Sequence, residues 1–388
     1  MLRVLTLSTL FPDAGRPNFG IFVERQTAAL AAREDVAVRV VAPIGLPPWP
    51  LSRHPHYQPF AGIPAHERWH GLDVTRPRFA ALPGTGGRFN AATLAWTLKA
   101  VLHDIRRDFA FDVIDAEFFF PDGPAAIALG RHFGVPVSIK ARGADIHFWG
   151  KGATAGQVRR AGCAADGLLA VSAAMRADMG ALGIPAERIT VHYTGVDVSR
   201  FGHVARAEAK AALGIDGPLV IALGALVERK GHGIVIDAMR YLPGAQLLVV
   251  GGGADAARYE AQVAAAGLSD RVRLTGPIAH GDLGALLPAA DVMALASASE
   301  GLANAWVEAL ACGVPIVIPD IGGAREVLTS PVFGLIADRT PAAFAEAIGA
   351  LLAAPPEPEQ VRRGAERFRW ETNAAALHAH LARLAGVG

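Results

Sequence analysis

The stretch Ser299-Glu-Gly-Leu-Ala-Asn-Ala-Trp-Val-Glu-Ala-Leu-Ala-Cys-Gly-Val-Pro-Ile-Val317 has the pattern of a loop, a helix and a strand. The apolar run before it predicts a strand that ends near Ala294. A helix is predicted from about Asn304, and Gly313 and Pro315 end it. Because the loop leads from a strand into a helix, its backbone N–H groups and the positive end of the helix dipole suit a phosphate.

Two acids lie around this predicted helix start. Glu300 precedes the helix and Glu308 lies on its second turn. A carboxylate accepts paired hydrogen bonds, so each acid suits the vicinal hydroxyls of a sugar or a ribose. For a single Glu, a solvated acid at a helix end is the simpler interpretation, but the whole phrase favours a ligand site.

The same alternation of strands and helices runs along the whole chain. Apolar runs without polar alternation indicate parallel strands that are covered on both faces. The first half has strands predicted at Val4–Ser8, Val36–Val41, Val113–Ala116, Val137–Lys140 and Leu168–Val171, and the second half at Leu219–Leu223, Gln246–Val250, Val272–Leu274, Val292–Ala294 and Pro315–Ile318. Helical stretches lie between them, so the sequence predicts an α/β fold of two doubly wound Rossmann-like domains. The carboxyl ends of their strands are expected to face across a cleft that binds ligands.

The domain boundary is expected in the polar, Gly-bearing stretch 192–219. We assign residues 1–195 to an N-terminal Rossmann-like domain and residues 196–371 to a C-terminal Rossmann-like domain. A Pro-rich break at 355–358 precedes the last helical stretches, and residues 372–388 are predicted to cross back to the first domain.

Composition excludes several classes of protein. The 388 residues are 52% apolar, which argues against disorder, and the net charge of +1 gives no general attraction to nucleic acid. Cys163 and Cys312 stand alone, which argues against a disulfide framework or a zinc site and fits a reducing cytosol. The short apolar start is interpreted as a first strand and not as a signal peptide, and no transmembrane helix is expected. We therefore expect a cytoplasmic protein.

The E-x7-E spacing of Glu300 and Glu308 resembles the signature of retaining GT-B glycosyltransferases, specifically family four. The resemblance extends over nearly the whole chain. Residues 222–231 look like the family's G-R-L-x-x-x-K-G loop, 248–253 like its strand-to-Gly turn, 275–278 like the turn near the base and 322–326 like its G-G-x-x-E segment. Residues 170–172 and 195–201 match first-domain landmarks, with Thr194 where the family has Asn, and 18–23 resembles the first Gly-bearing loop of the polysaccharide-building branch.

The resemblance implies that residues 1–195 form an acceptor-binding domain and residues 196–371 a nucleotide-sugar-binding domain, and it implies roles for individual residues. Glu308 would bind the ribose, Glu300 would bind the donor sugar's hydroxyls as a catalytic residue, and Lys230 would neutralise the diphosphate as charge builds on the leaving group. The other donor-binding positions implied are Gly20, Gly224, Arg229, Gly251, Gly253, Pro277, Ile278, Gly301, Leu302, Ala303 and Asn304.

The chain departs from the family pattern at two positions. Ala225 stands where the family has a loop Arg, and whether Arg229 replaces that phosphate contact stays open. Arg142 stands near the place of a family His; since it is always charged it cannot act as a base, but it can hold an acceptor's phosphate or carboxylate or orient Asp145. We expect Arg142 and Asp145 at the cleft as catalytic residues, with Arg142 and His147 as acceptor-binding candidates. The alternative for His147 is a packing or surface residue.

Neither a cofactor nor a metal ion is predicted. Residues 251–256 fit the dinucleotide fingerprint G-x-G-x-x-A, but no ribose-binding acid closes a following strand at the usual offset, so we interpret them as the family's Gly turn. The sequence has no D-x-D motif that would suggest a metal ion bridging the diphosphate. The expected co-substrate is a nucleotide-diphosphate sugar.

The Pro-rich segment between Pro43 and Arg78 is expected to be a long loop rich in aromatic and basic residues. It is either an ordinary loop or, within Trp49–His70, a contact for the acceptor or for a membrane at whose inner face the protein would work.

The resemblance implies transfer of a sugar to an acceptor hydroxyl with retention of configuration. The expected acceptor is a saccharide or lipid-linked saccharide of surface-polysaccharide or lipid-linked glycan synthesis. A nucleotide-sugar epimerase and a non-catalytic nucleotide-sugar-binding protein are the alternatives. The donor's nucleotide and sugar, the acceptor's identity and linkage, and the oligomeric state cannot be inferred from the sequence.

Overall fold

The computed structural model describes residues 1–201 and 204–387 and divides into two compact units. Unit 1 consists of Met1–Gly195 and Trp370–Gly388, and unit 2 consists of Val196–Arg369. Each unit has its own mainly parallel β-sheet with helices around it, which confirms the predicted α/β class with two Rossmann-like domains.

Unit 1 is built on an eight-stranded sheet and a separate two-stranded sheet. The strands are β1 Leu2–Leu7, β2 Val36–Val41, β3 Ile44–Leu46, β4 His66–Trp69, β5 Leu72–Thr75, β6 Arg78–Ala80, β7 Val113–Ala116, β8 Val137–Ala141, β9 Gly167–Ala170 and β10 Ile189–Val191. The large sheet has the order β10-β9-β8-β7-β1-β2-β5-β4, and all its pairs are parallel except β4 with β5. All five strands predicted for the first half are present, with small shifts at their ends.

The helices within Met1–Gly195 cover the large sheet of unit 1. They are α1 Ile21–Ala31, α2 Gln58–Ala61, α3 Asn90–Ile105, α4 Asp122–Phe133, α5 Ala144–His147, α6 Ala155–Ala164 and α7 Ala173–Ala181. The largest apolar core of the unit lies between the sheet and α3, α4, α6 and α7, and includes Leu94, Leu98, Ile139 and Met175.

The prediction of one long loop between Pro43 and Arg78 is wrong. The structure places β3, β4 and β5 in this segment, and β3 pairs in parallel with β6. β4 is an edge strand whose residues are exposed or half-buried, so His66-Glu-Arg-Trp69 contains no apolar run by which a strand could be predicted.

Unit 2 has a six-stranded sheet in which every pair is parallel. Its strands are β11 Leu219–Leu223, β12 Gln246–Val250, β13 Val272–Gly276, β14 Val292–Ala294, β15 Ile316–Ile318 and β16 Gly334–Ile336. The order β13-β12-β11-β14-β15-β16 reverses its direction between β11 and β14. In open α/β sheets, the carboxyl ends of the strands at such a reversal form the ligand crevice.

Eight helices described in unit 2 follow or connect these strands. They are α8 Arg206–Leu213, α9 His232–Ala238, α10 Ala256–Ala265, α11 Leu283–Leu286, α12 Asn304–Ala311, α13 Ala324–Val327, α14 Pro341–Ala353 and α15 Pro358–Arg362. The apolar core between the sheet and α9, α10 and α14 includes Val235, Leu247, Val263 and Phe344.

The last helix, α16 Trp370–Ala385, belongs to unit 1. Its Leu377 and Leu381 are fully buried in a small core with Leu2, Val4 and Leu30. No helix in the described ranges has both the length and the apolar content that crossing a membrane requires.

Candidate functional site

The loops that follow β11 and β14 meet at the reversal point of the unit 2 sheet. The backbone N–H of Ala298 donates to the carbonyl of Arg229 at 2.7 Å. Gly231 has φ +69°, and a Cβ there would lie 2.0 Å from the carbonyl oxygen of Ala296. A side chain at position 231 would therefore push the two loops apart, and Gly keeps them in contact.

This contact brings Lys230 and Glu300 together. Lys230 Nζ donates to Glu300 Oε1 at 2.5 Å, and the two side chains are only 17% and 10% exposed. Arg229 adds a second cation, with Nη1 2.7 Å from the carbonyl of Ser299 and 3.9 Å from Glu300 Oε1. Two cations and one acid thus share the small surface in which the sequence predicted a diphosphate and a sugar.

The segment before α12 has its backbone groups, and not its side chains, available for a ligand. Leu302 and Ala303 are buried, and no side chain caps the helix start at Ala303. Gly322 and Gly323 pack against this segment, since the N–H of Gly323 donates to the carbonyl of Gly301 at 2.7 Å. The first turn of α12, which begins at Asn304, therefore has the open N–H groups that an anion can use.

Glu308 lies on α12, inside unit 2 and only 3% exposed. His280, in the turn after β13, holds it: His280 Nε2 lies 2.6 Å from Glu308 Oε1. The ring of Phe201 packs edge-on against His280. Sequence reasoning missed His280, because a His in a turn next to Gly has no distinctive signal.

The glycines of the two neighbouring loops serve loop-to-loop packing. A Cβ on Gly251 would lie 1.9 Å from the carbonyl oxygen of Gly224, and one on Gly253 would lie 2.4 Å from that of Leu226. Pro277 lies against Gly252, and Ile278 follows it half-buried. The structure thus explains the G-x-G spacing by the approach of one backbone to another within the protein.

Ala225, where the resemblance leads us to expect an Arg, lies in the same loop. Its carbonyl is 3.2 Å from His232 Nε2, and burial lowers the pKa of the His232 imidazole to about 4. Arg229 is 53% exposed and lies beside Lys230, so a second cation is present in this loop at a different position.

The remaining predicted residues lie in unit 1. Gly20 precedes α1 with φ +70°, and a Cβ there would lie 2.4 Å from the carbonyl oxygen of Leu10. His147 ends α5 and is half-buried, with Nε2 2.8 Å from Asp178 Oδ2.

Asp145 is fully buried, and its side chain binds backbone N–H groups. Its carboxylate accepts hydrogen bonds from the N–H groups of Phe119, Arg142 and Gly143 at 2.7–3.1 Å. Burial raises the pKa of this carboxyl, and the three donors oppose the shift. Asp145 therefore fixes the loop that carries Arg142.

Arg142 belongs to a buried polar cluster that the sequence analysis did not identify. Its Nη2 forms an ion pair with the fully buried Glu117, and its Nε donates to the Glu117 carbonyl at 2.8 Å. Lys140 Nζ, also buried, donates to Gln26 Oε1 at 2.5 Å and lies 2.7 Å from His192 Nδ1. Apart from Gln26, which lies on α1, these residues lie near the ends of β7, β8 and β10 or directly after them, at the carboxyl edge of the unit 1 sheet.

The electrostatics of this cluster follow from its burial. Burial alone would raise the pKa of Glu117, but the charges of Arg142 and Lys140 outweigh it and lower that pKa to about 2. Burial, together with the charge of Arg142, lowers the pKa of Lys140 to about 7. The sequence does contain one indication of this cluster. Lys140 ends a predicted apolar strand, and burying a lysine there without a partner would cost free energy, so polar partners were to be expected.

Comparison with known families matches both units. Residues 20–200 match the family model "Glycosyltransferase Family 4", and residues 205–368 match the model "Glycosyl transferases group 1". Together the two models account for most of the chain.

Two relatives illustrate the match in sequence. The chain is 33% identical over 233 residues to a D-inositol 3-phosphate glycosyltransferase of Xylanimonas cellulosilytica. This match covers 55% of this chain and 56% of the relative. The match thus spans about half the length of that relative. The chain is 27% identical over 363 residues to the putative teichuronic acid biosynthesis glycosyltransferase TuaC of Bacillus subtilis, covering 89% of this chain and 88% of the relative.

Solved structures share the fold over the whole chain. Sucrose-phosphate synthase from Thermosynechococcus elongatus superimposes with a TM-score of 0.80 at 23% identity, covering 100% of both chains. The Anabaena protein HepE in complex with UDP-glucose superimposes with a TM-score of 0.74 at 20% identity, covering 99% of this chain and 100% of HepE. With matching models on both units and the GT-B fold throughout, the chain belongs to the family-four GT-B glycosyltransferases.

Proposed function

We propose that the protein transfers a sugar from a nucleoside-diphosphate sugar to an acceptor hydroxyl, with retention of configuration and without a bound metal ion. The observation that carries the proposal is the pair Lys230–Glu300, 2.5 Å apart at the reversal point of the unit 2 sheet. A cation for the diphosphate and an acid for the sugar hydroxyls lie there next to each other, beside the start of α12.

In the proposed reaction, the bond from the anomeric carbon to the diphosphate oxygen breaks as the bond to the acceptor oxygen forms on the same face of the sugar. The leaving diphosphate oxygen takes the proton of the acceptor hydroxyl. Lys230 and the N–H groups at the start of α12 stabilise the charge that builds on the diphosphate. Glu300 orients the sugar, and Glu308, held by His280 through one oxygen, offers its other oxygen to the ribose.

The relatives suggest which substrates to test first. HepE was solved with UDP-glucose, and TuaC is named as a putative glycosyltransferase of teichuronic acid biosynthesis. We propose a UDP-sugar as donor and a saccharide or lipid-linked saccharide as acceptor, on the cytoplasmic side of the membrane. A thermal-shift screen of UDP-, GDP- and ADP-sugars tests the donor, since a ligand at a hundred times its Kd stabilises the protein by about 2.7 kcal/mol.

Transfer is then measured with the labelled donor that the screen selects and a panel of acceptors, with and without EDTA. We expect product only when an acceptor is present, no loss of turnover with EDTA, and retained anomeric configuration by NMR. Conversion of the donor sugar without any acceptor would indicate an epimerase, and binding without turnover would indicate a nucleotide-sugar-binding protein.

Glu308→Ala tests the site itself. We expect transfer to be nearly abolished in a folded protein, because the ribose loses its carboxylate partner. Glu260→Ala on α10, at an exposed position, is the control that should keep full activity. Unchanged turnover of folded Glu308→Ala would contradict the assignment.

A further inference from the structure

Large exposed apolar side chains are concentrated in a few segments of unit 1. We call them the aromatic patch, and its members are Trp49, Leu51, Leu82, Phe89, Trp96 and Phe148. Trp96 is 79% exposed, Trp49 73% and Phe148 68%. Single exposed apolar residues are ordinary on protein surfaces, whereas a cluster of this kind marks a contact surface.

The fold places these segments side by side. β3 and β6 pair in parallel with Leu46 opposite Ala80, so the chain runs on from both strands at the same end, toward Trp49 and Leu82 respectively. Thr93 Oγ1 donates to the carbonyl of Ala80 at 2.7 Å, which ties α3 to the end of β6.

The patch continues over α3 and α5. Phe89 and Trp96 are separated by two helical turns, so both lie on the outward face of α3, which also carries the exposed Lys99. A cavity of about 620 Å³ lies between the segments 82–90 and 147–154 and is lined by Leu82, Pro83, Phe148 and Trp149, among others. The surface is therefore concave and largely apolar in its middle.

The charged side chains in the three chain segments that carry the patch all have the same sign, although Asp178 of a neighbouring segment contacts His147. Residues 36–66, 74–103 and 146–165 contain no Asp or Glu, although the whole chain is almost neutral. Arg53, Arg88, Lys99 and Lys151 are exposed in these segments, and none of them forms an ion pair with any residue in the part of the chain that the structure describes. We call these four residues the basic rim.

We propose that the aromatic patch and the basic rim dock unit 1 on an anionic lipid bilayer. Exposed Trp and Phe rings insert at the level of the lipid headgroups, and Lys and Arg beside them are attracted by anionic lipids. A symmetric contact between two copies would bring the basic rim against itself, with no acid in the three segments to compensate. The patch and the rim belong to unit 1 and the proposed donor site belongs to unit 2, so the proposal does not depend on the proposed reaction.

The test is co-sedimentation of the full chain with unilamellar vesicles of phosphatidylcholine alone or of an equal mixture of phosphatidylcholine and phosphatidylglycerol. We expect binding to the mixed vesicles, weakened by salt, and little binding to phosphatidylcholine. Replacing Arg88, Lys99 and Lys151 by Gln should lower the partition coefficient by about a hundredfold. The double variant Phe89→Ser, Trp96→Ser should lower it by about tenfold for each ring that inserts.

The matched control is Arg240→Gln with Tyr241→Ser, an exposed basic–aromatic pair in unit 2. It should bind mixed vesicles as the unaltered chain does, and all variants should keep the thermal shift given by nucleotide sugars. The proposal is overturned if the chain does not bind mixed vesicles at low salt, if it binds phosphatidylcholine equally well, or if the patch and rim variants bind unchanged. Self-association that the patch variant abolishes would instead assign the surface to a second copy.

Discussion

Lys230 and Lys210 are two largely buried lysines of unit 2 with similar surroundings. Lys230 pairs with Glu300 at 2.5 Å, and Lys210 pairs with Asp291 at 2.6 Å; their side chains are 17% and 18% exposed. Only Lys230 lies at the reversal point of the sheet. Substitution of each by Met therefore separates loss of an ion pair from loss of a diphosphate contact.

We expect Lys230→Met to weaken the binding of the nucleoside diphosphate by on the order of tenfold to a hundredfold, the range for one hydrogen bond to a charged group. Binding of the nucleoside without phosphates should not change. Isothermal titration calorimetry measures both affinities. Lys210→Met should lose stability but keep both affinities, and equal losses of diphosphate affinity in the two variants would contradict the role of Lys230.

The buried carboxyl of Asp122 should make the free energy of unfolding depend on pH. Burial raises the pKa of its carboxyl to about 8, while Oδ2 accepts the N–H of Thr9 at 2.8 Å. In the unfolded chain an Asp titrates near 3.9, so between about pH 4 and pH 8 the folded protein keeps a proton that the unfolded chain loses. This carboxyl therefore contributes stability that is fully present below about pH 4 and is lost as the pH rises through about 8.

Asp122→Asn should remove this contribution to the pH dependence. Urea unfolding at several pH values between about 5 and about 8.5 measures this. The free energy of unfolding should change less with pH for the variant than for the unaltered chain. Asp104→Asn, at an exposed position, is the control that should keep the original slope. Parallel profiles for the Asp122 variant and the unaltered chain would show that the carboxyl does not titrate in this range.

At the scale of elements, the Gly turn after β12 makes a prediction about the donor loops. Gly251 has φ +146°, and a Cβ there would lie 1.9 Å from the carbonyl oxygen of Gly224. Gly251→Ala must therefore displace the loop after β11, and we expect a loss of about 2 kcal/mol or more in stability together with weaker donor binding.

Gly244→Ala is the matched substitution, because a Cβ at this exposed glycine would meet no atom within 4 Å. It should change neither the unfolding free energy nor the donor affinity. If Gly251→Ala unfolds at the same urea concentration as Gly244→Ala, the close approach of the two loops is not a constraint.

The elements also show what the sequence could and could not predict. Several of the strands that were predicted, such as β11, β14 and β15, are apolar on both faces and are therefore recognisable without neighbours. β4 escaped prediction because an edge strand needs no apolar run. Glu308 was predicted by its spacing from Glu300, whereas its partner His280 and the pair Glu117–Arg142 depend on tertiary contacts, for which a single sequence has no pattern.

At the scale of the whole molecule, two units with separate cores should unfold in two steps. Deletion of 370–388 removes Leu377 and Leu381 from the core they share with Leu2 and Val4. We expect the transition of unit 1 to fall in temperature, while the nucleoside diphosphate still stabilises unit 2. Calorimetry with and without nucleotide measures the transition temperatures of both units, and deletion of 386–388 alone is the control. An equal fall of the two transition temperatures would contradict independent cores.

The return of α16 to unit 1 also sets the order in which the units can be completed on the ribosome. The first strand of unit 1 is made before unit 2, yet the helix that covers this strand is made after unit 2. Val196–Arg369 is complete in sequence before α16 exists, so unit 2 can reach its final fold earlier. Until α16 has been made, Leu2 and Val4 lack the cover of Leu377 and Leu381, so this apolar face of the nascent chain stays open to aggregation or to a chaperone.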